Sequence, residues 1–213
     1  MGGGTGCRSL TLSPVADLAA RIAALADGKT RRMIAIAGAP GSGKSTIVEE
    51  LAKLIPNSAI VPMDGFHLDN ATLTARGRLH RKGAPDTFDT DAMLHMLQKI
   101  ALGGAVTVPV FDRSADAVVP DGAVIAPETQ IVLVEGNYLL LDAPGWREMH
   151  GLWDLTVLLD VPEAELHRRL VQRWLDHDLP LQQAQDRAAS NDLPNAQTVM
   201  SMSAKPAISF KTA

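Results

Sequence analysis

The sequence predicts an α/β fold: three layers, with helices on both faces of a mostly parallel five-stranded sheet. Three features point to it. Short apolar segments of strand length alternate with amphipathic helical segments along the chain. The clearest strand segments, 33–37 and 131–134, carry no charge, as suits strands covered on both faces. A glycine-rich turn joins the first of them directly to a helix.

Residues 1–12, with Gly2, Gly3 and Gly4, read as a flexible tail ahead of a single domain over 13–213. The first helix is capped by Ser13, carries Pro14 in its first turn and ends by Gly28, with Val15, Leu18, Ile22 and Leu25 on one face. Strand 33–37 leads through the glycine-rich turn to a helix over 44–54, and strand 59–63 ends at Asp64. Residues 65–88 are irregular and rich in Arg, His and Gly. Thr90 is expected to cap a helix whose inner face is Met93, Leu94, Leu97, Ile100 and Ala101, stopped by Gly103 and Gly104. Residues 106–111 read as a strand and Asp121-Gly122 as a hairpin turn. Strands at 131–134 and 155–159 follow, then a helix over 162–177, a further helical stretch and a short last strand at 208–210.

The 213 residues are 46% hydrophobic and 21% charged, enough for one full core and too apolar for disorder. A net charge of -4 gives no global basic field, so nucleic acid is not an expected partner and any anion site must be local. No apolar run is long enough to span a bilayer, no apolar signal core follows the first glycines, and Gly6 stands where a myristoylation signal needs Ser or Thr. Cys7, the one cysteine, cannot form an internal disulfide, which fits a reducing cytoplasm. The histidines are scattered, without metal-ligand spacing.

The most specific signal is Gly38-Ala39-Pro40-Gly41-Ser42-Gly43-Lys44-Ser45, a full match to G-x-x-x-x-G-K-[ST] between a strand and a helix. Phosphate oxygens need several N–H donors converging on one point. Glycines let the backbone curl to provide them, and the helix N-terminus adds its positive dipole end. Lys44 is expected to reach the outer phosphates and the Ser45 hydroxyl to ligate Mg²⁺, with Thr46 completing the nucleotide-binding set. A chain with this motif resembles the P-loop NTPases, and that resemblance implies a sheet order of 2-3-1-4-5.

Asp64 ends the second strand, where ligands of parallel sheets bind, so it is either a base for an attacking hydroxyl or a turn aspartate before Gly65. Glu135 ends the run Ile131-Val132-Leu133-Val134 and suits a magnesium-positioning carboxylate; Asp160 competes for that role, but its following Val161-Pro162 looks like a strand-to-helix turn. Arg168, Arg169 and Arg173 lie on one helix, the last two on one face, as either a lid over a transferring phosphoryl group or a solvated basic face. His67, Arg76, Arg78, His80, Arg81 and Lys82 cluster after Asp64, and Asp112 and Arg113 follow the strand at 106–111; these are candidates for holding a hydroxyl-rich or anionic substrate.

With these residues in place, the chain resembles the phosphoribulokinase/uridine kinase/pantothenate kinase group of P-loop kinases, and within it the bacterial fructose transport system kinase (fructokinase-like) family. The resemblance spans about 31–195. It is carried by the P-loop, Met63-Asp64-Gly65-Phe66-His67-Leu68-Asp69, Arg81-Lys82-Gly83-Ala84-Pro85-Asp86-Thr87-Phe88-Asp89, Val108-Pro109-Val110-Phe111-Asp112-Arg113, Val134-Glu135-Gly136-Asn137-Tyr138 and Asn191-Asp192-Leu193-Pro194-Asn195. It implies that Asp64 is the catalytic base, and that Lys44, Arg169 and Arg173 stabilise the transferring group, the arginines from a helical lid over about 163–190. It further implies that Asn191 and Asn195 lie near the adenine, and that His67, Arg81, Asp112, Arg113, Glu135 and Asn137 face the acceptor, with Ser45 and Glu135 at the metal. Phe111 stands where uridine kinases carry a tyrosine, which argues against a nucleoside.

The function so implied is ATP- and Mg²⁺-dependent transfer of the γ-phosphoryl group to a hydroxyl of a small metabolite, a sugar such as fructose. A nucleoside or pantothenate-like acceptor is the alternative within kinases. A regulatory NTPase or GTPase is the alternative outside them, although the guanine-reading Asn-Lys-x-Asp is missing from the chain. The chain is compatible with a homodimer.

Overall fold

The structure, a computed structural model, describes residues 13–212; the expected tail 1–12, with Cys7, lies outside the described residues. The strands are β1 (Arg32–Gly38), β2 (Ser58–Pro62), β3 (Val106–Asp112), β4 (Ala117–Ile125), β5 (Ile131–Gly136), β6 (Leu155–Asp160) and β7 (Ile208–Lys211). Five of them form one sheet in the order β2-β5-β1-β6-β7, every neighbouring pair parallel. Among the described residues β3 and β4 pair only with each other, as an antiparallel hairpin. The labels therefore differ from the expected 2-3-1-4-5, whose count left out the hairpin; the five sheet strands alone follow it.

The helices are α1 (Pro14–Ala23), α2 (Lys44–Leu54), α3 (Asn70–Ala75), α4 (Thr90–Ala101), α5 (Glu163–Leu175), α6 (Leu181–Arg187) and α7 (Leu193–Met202), the last two joined by a π-helical turn, Ala188–Asp192. β1 shows how the three layers arise. It is apolar throughout, and successive side chains point to opposite faces. Ile34 and Ile36 pack with Leu18 and Ile22 of α1 and Val48 and Leu51 of α2. Met33, Ala35 and Ala37 pack on the other side with Met93, Leu97 and Ile100 of α4 and Val199 of α7. Helices α5 and α6 are built around a separate small cluster of Leu170, Val171, Ala184 and Ala188.

Three local expectations change. The cap of α4 is Asp89, whose carboxylate accepts from the Ala92 N–H, and Thr90 is the first helical residue. Asp121 and Gly122 lie inside β4, where Gly122 leaves room for Val110 across the hairpin. The chain reverses at 113–116 instead: Asp112 accepts from the Ser114 and Ala115 N–H groups, and Asp116 sits at φ +48, a conformation its short polar side chain tolerates. The irregular stretch 65–88 also contains order. Asp69 caps α3, and 3-10 turns at Met63–Phe66, Leu79–Arg81 and Pro85–Thr87 shape the rest.

Arg31, just ahead of β1, is buried and donates to the carbonyls of Ile100, Gly104, Ala126 and Thr129. One guanidinium thus ties the end of α4 and the β4–β5 connection to the first strand. Among the described residues no helix is long and apolar enough to cross a membrane.

The hairpin is held against the end of β2 by close backbone approach. A Cβ at Gly65 would meet the Pro109 carbonyl group, its carbon only 2.8 Å away, while one at Gly151 meets nothing within 4 Å. Gly65→Ala is therefore expected to cost about 2 kcal/mol and lower the melting temperature by roughly 4–8 °C. Gly151→Ala serves as the unchanged control, and equal melting curves for the two variants would contradict the packing described.

Candidate active site

The glycine-rich loop leaves the central strand β1 and enters α2 through Gly41 (φ +78) and Gly43 (φ +86), both in the left-handed region that other residues adopt only under strain. Lys44 folds back over this loop. Its ammonium donates to the carbonyls of Gly38 and Ala39 at 2.9 and 3.0 Å and is buried. Burial brings its pKa down to about 8, although Glu135 and Asp64 nearby work in the opposite direction. The Ser45 hydroxyl donates to Glu135 Oε1 at 3.4 Å. Burial pushes the Glu135 carboxyl above its ordinary value, with Lys44 opposing.

α5 leans on the loop: a Cβ at Gly41 would lie 3.2 Å from Leu170, and one at Gly43 would lie 3.8 Å from the Arg169 guanidinium. Glu165, its pKa lowered to about 2 by the hydrogen bonds of Arg168 and Arg169, orients both arginines. Arg173 points into the cleft, with its guanidinium 5.6 Å from the Trp174 ring.

The loop opens into a cleft of about 890 Å³. Asp64, in the 3-10 turn after β2, stands on its wall with its side chain 35% exposed. Arg113 Nη2 approaches it to 3.6 Å and His67 Nε2 to 3.9 Å. His67 stacks on Phe88 at 4.1 Å and meets Phe111 at 5.1 Å; burial lowers its pKa. Of the remaining expected residues, Pro40, Thr46, Glu135, Asn137, Asn191 and Asn195 line the same cleft.

Two expectations look different in three dimensions. Asp112 is the cap of the hairpin reversal; its carboxylate, held below its ordinary pKa by Ser114 and Ala115, is not on the cleft wall. Arg81 is not on it either and pairs with Asp86 at 3.2 Å, beside Arg78 at 2.8 Å. Asn191, on the cleft wall with Asn195, gives its amide to the Lys82 carbonyl, and Asn195 donates to Asn191, so both buried asparagines also brace the segment after α3. Arg169 lines a neighbouring pocket with Arg113 and Arg173, and Asp160, the residue set aside in favour of Glu135, is exposed and off the cleft.

Other cleft residues escaped sequence reasoning. Trp174 donates to Asp192 at 2.6 Å, Arg187 stands 5.2 Å from the same indole, and His177 completes that corner. Asn70 and Asp116 come from α3 and the hairpin reversal. The lone tryptophan of an arginine-bearing helix was the available signal for the first group. Nothing local marked the second.

A model of the phosphoribulokinase / uridine kinase family matches residues 33–176. YggC of Escherichia coli K12, an uncharacterised protein, is 36% identical over 177 residues, covering 80% of this chain and 73% of that one. A proposed uridine kinase of Schizosaccharomyces pombe is 33% identical over 195 residues, covering 84% and 82%. The crystal structure of a proposed fructose transport system kinase from Silicibacter sp. TM1040 superposes with a TM-score of 0.88 at 41% identity, covering 93% of this chain and 99% of that one.

A triphosphate would favour the charged form of Lys44. Affinity is then complete below the free-state pKa of about 8 and falls as the pH rises through it. Calorimetry should find magnesium-ATP bound about tenfold more weakly at pH 9 than at pH 7, and Lys44→Ala weak at both. A flat profile in the wild type would show that this ammonium does not carry the binding.

Proposed function

The chain belongs to the phosphoribulokinase/uridine kinase family, and on that premise we propose that it moves the γ-phosphoryl group of ATP to a hydroxyl of a small sugar-like metabolite such as fructose. The observation that carries this reading is the shared cleft. The P-loop lysine and Asp64, from the turn that follows β2, open onto one space large enough for a nucleotide and a small acceptor. The sugar in particular is supported by the likeness to the proposed fructose transport system kinase. A nucleoside acceptor is the second reading, favoured by the likeness to the proposed uridine kinase. The setting we propose is the cytoplasm.

The loop residues Gly38 to Thr46 hold the phosphates, with Lys44 turning from its loop carbonyls to the outer oxygens. Ser45 and Glu135 would hold Mg²⁺: a hydroxyl and a carboxylate adjoin beside the ammonium, an oxygen donor set of the kind this hard cation takes. When bound, the ion neutralises charge on the outer phosphates. Asp64 accepts the acceptor's hydroxyl proton, the hydroxyl oxygen bonds to the γ-phosphorus, and the bond to the β–γ bridging oxygen breaks, releasing ADP. Arg113 leaves Asp64 for the incoming negative charge, and the lid over 163–190 brings Arg173 from the cleft wall and Arg169 from the neighbouring pocket.

Asp64→Asn keeps size and hydrogen bonding but removes the proton acceptor. Turnover should fall roughly 10²- to 10⁴-fold, with ATP affinity within about twofold of wild type. An ATP-consumption assay across sugars, nucleosides and pantothenate, alongside calorimetry, checks both. Unchanged turnover removes Asp64 from the role of base.

A further inference from the structure

From the cleft wall opposite the P-loop we infer that the phosphate acceptor is an uncharged compound with neighbouring hydroxyls, and that Asn70, Lys82 and Asp116 select it. The inference rests on the kinase reading above and adds to it the substrate's charge and the residues that read it.

The three side chains form a closed set. The Lys82 ammonium donates to Asn70 Oδ1 at 2.8 Å, to Asp116 Oδ1 at 2.7 Å and to the Asp116 carbonyl at 3.3 Å. Asn70 Nδ2 in turn donates to Asp116 Oδ2 at 2.8 Å. An ammonium has three N–H donors, and all three are used within the set. What the set still offers the cleft is the second N–H of the Asn70 amide and the spare lone pairs of the Asp116 carboxylate. A hydroxyl both donates and accepts, so a neighbouring pair of them can take the amide donor and satisfy the carboxylate together. A carboxylate or phosphate can only accept, and would face Asp116 with like charge.

The set is also braced before any ligand arrives. The Lys82 carbonyl takes the Asn191 amide, the next carbonyl, Gly83, takes the Tyr138 hydroxyl at 2.7 Å, and the ammonium lies 5.0 Å over the Phe111 ring. Phe111 and His67 continue the wall from Lys82 to Asp64. A molecule held at the set therefore lies along the surface that ends at the proposed base.

The remaining charge of the cleft points the same way. Arg113 faces Asp64, Lys44 faces Glu135, and Arg173 and Arg187 flank Asp192. With Lys82 cancelled by Asp116, the cleft keeps one more cation than carboxylate. A magnesium-bound triphosphate brings more negative charge than that, so a second anion has no counter-charge left to meet.

The test is acceptor-dependent ADP formation by the full chain with three panels: neutral hexoses, polyols and nucleosides; phosphate monoesters of the same sugars; and hydroxy-carboxylates, including aldonates and pantothenate. Turnover confined to the neutral panel is expected. For the best acceptor, Asp116→Asn, which tolerates the same backbone conformation, should raise KM roughly tenfold or more with kcat little changed and ATP affinity by calorimetry unaltered. Asn70→Leu should act in the same sense. Turnover confined to the phosphate or carboxylate panel, or an unchanged KM in both variants, overturns the inference and leaves the kinase reading standing. ADP release indifferent to every acceptor overturns both.

Discussion

The Lys44 ammonium is buried against the carbonyls of the loop that precedes it, and a cation in that position is tolerated only because Gly38 and Ala39 turn their oxygens inward. The loop can do so because Gly41 and Gly43 adopt left-handed conformations, and because it starts at the end of the central strand of a parallel sheet. Burial keeps the ammonium poorly solvated, so an exchange of its carbonyl partners for phosphate oxygens would gain strong electrostatic contact. The surrounding site follows this constraint. Glu135 comes from the strand beside β1, Asp64 from the strand beyond it, and α5 rests on the glycines from above.

The cleft divides into two electrostatic regimes. Near the loop, Arg113 and the arginines of α5 gather positive charge around the cleft and its neighbouring pocket. Toward the hairpin, charge is already cancelled in pairs, and amides and aromatic rings take over the wall. The two regimes come from different supersecondary units. The sheet, α2 and α5 supply the first, joined by Arg113 from the hairpin reversal; the rest of the hairpin, α3 and the π-helical turn supply the second. The separate cluster of α5 and α6 gives that cover an apolar centre of its own, distinct from the sheet cores.

Much of the fold was legible in the chain because strands buried on both faces and helices with one apolar face leave periodic traces. The sheet strands, α2, and the joining of β1 to the P-loop could be read that way. Asp121-Gly122 could not: a glycine needed for close approach of Val110 has the same local signature as one needed for a turn. Asp112 and Arg81 were read as substrate ligands from their company in the sequence, but an aspartate two residues before a serine can cap a reversal, and an arginine near Asp86 can be held by it. Asn191 does line the cleft, but nothing in its segment announced that its amide reaches Lys82, 109 residues away.

By itself the sequence determined the glycine-rich loop, the strand that leads into it and the carboxylates near the strand ends, because each of these is specified within a few consecutive residues. Only the tertiary structure decided which polar groups meet across the cleft. Asn70, Lys82 and Asp116 come from α3, the segment after it and a hairpin reversal, and Trp174 meets Asp192 across a bend between helices. Such pairings depend on long-range packing of the hairpin against Gly65 and of α5 against Gly41, and no local pattern of residue types encodes a distance between distant parts of a chain.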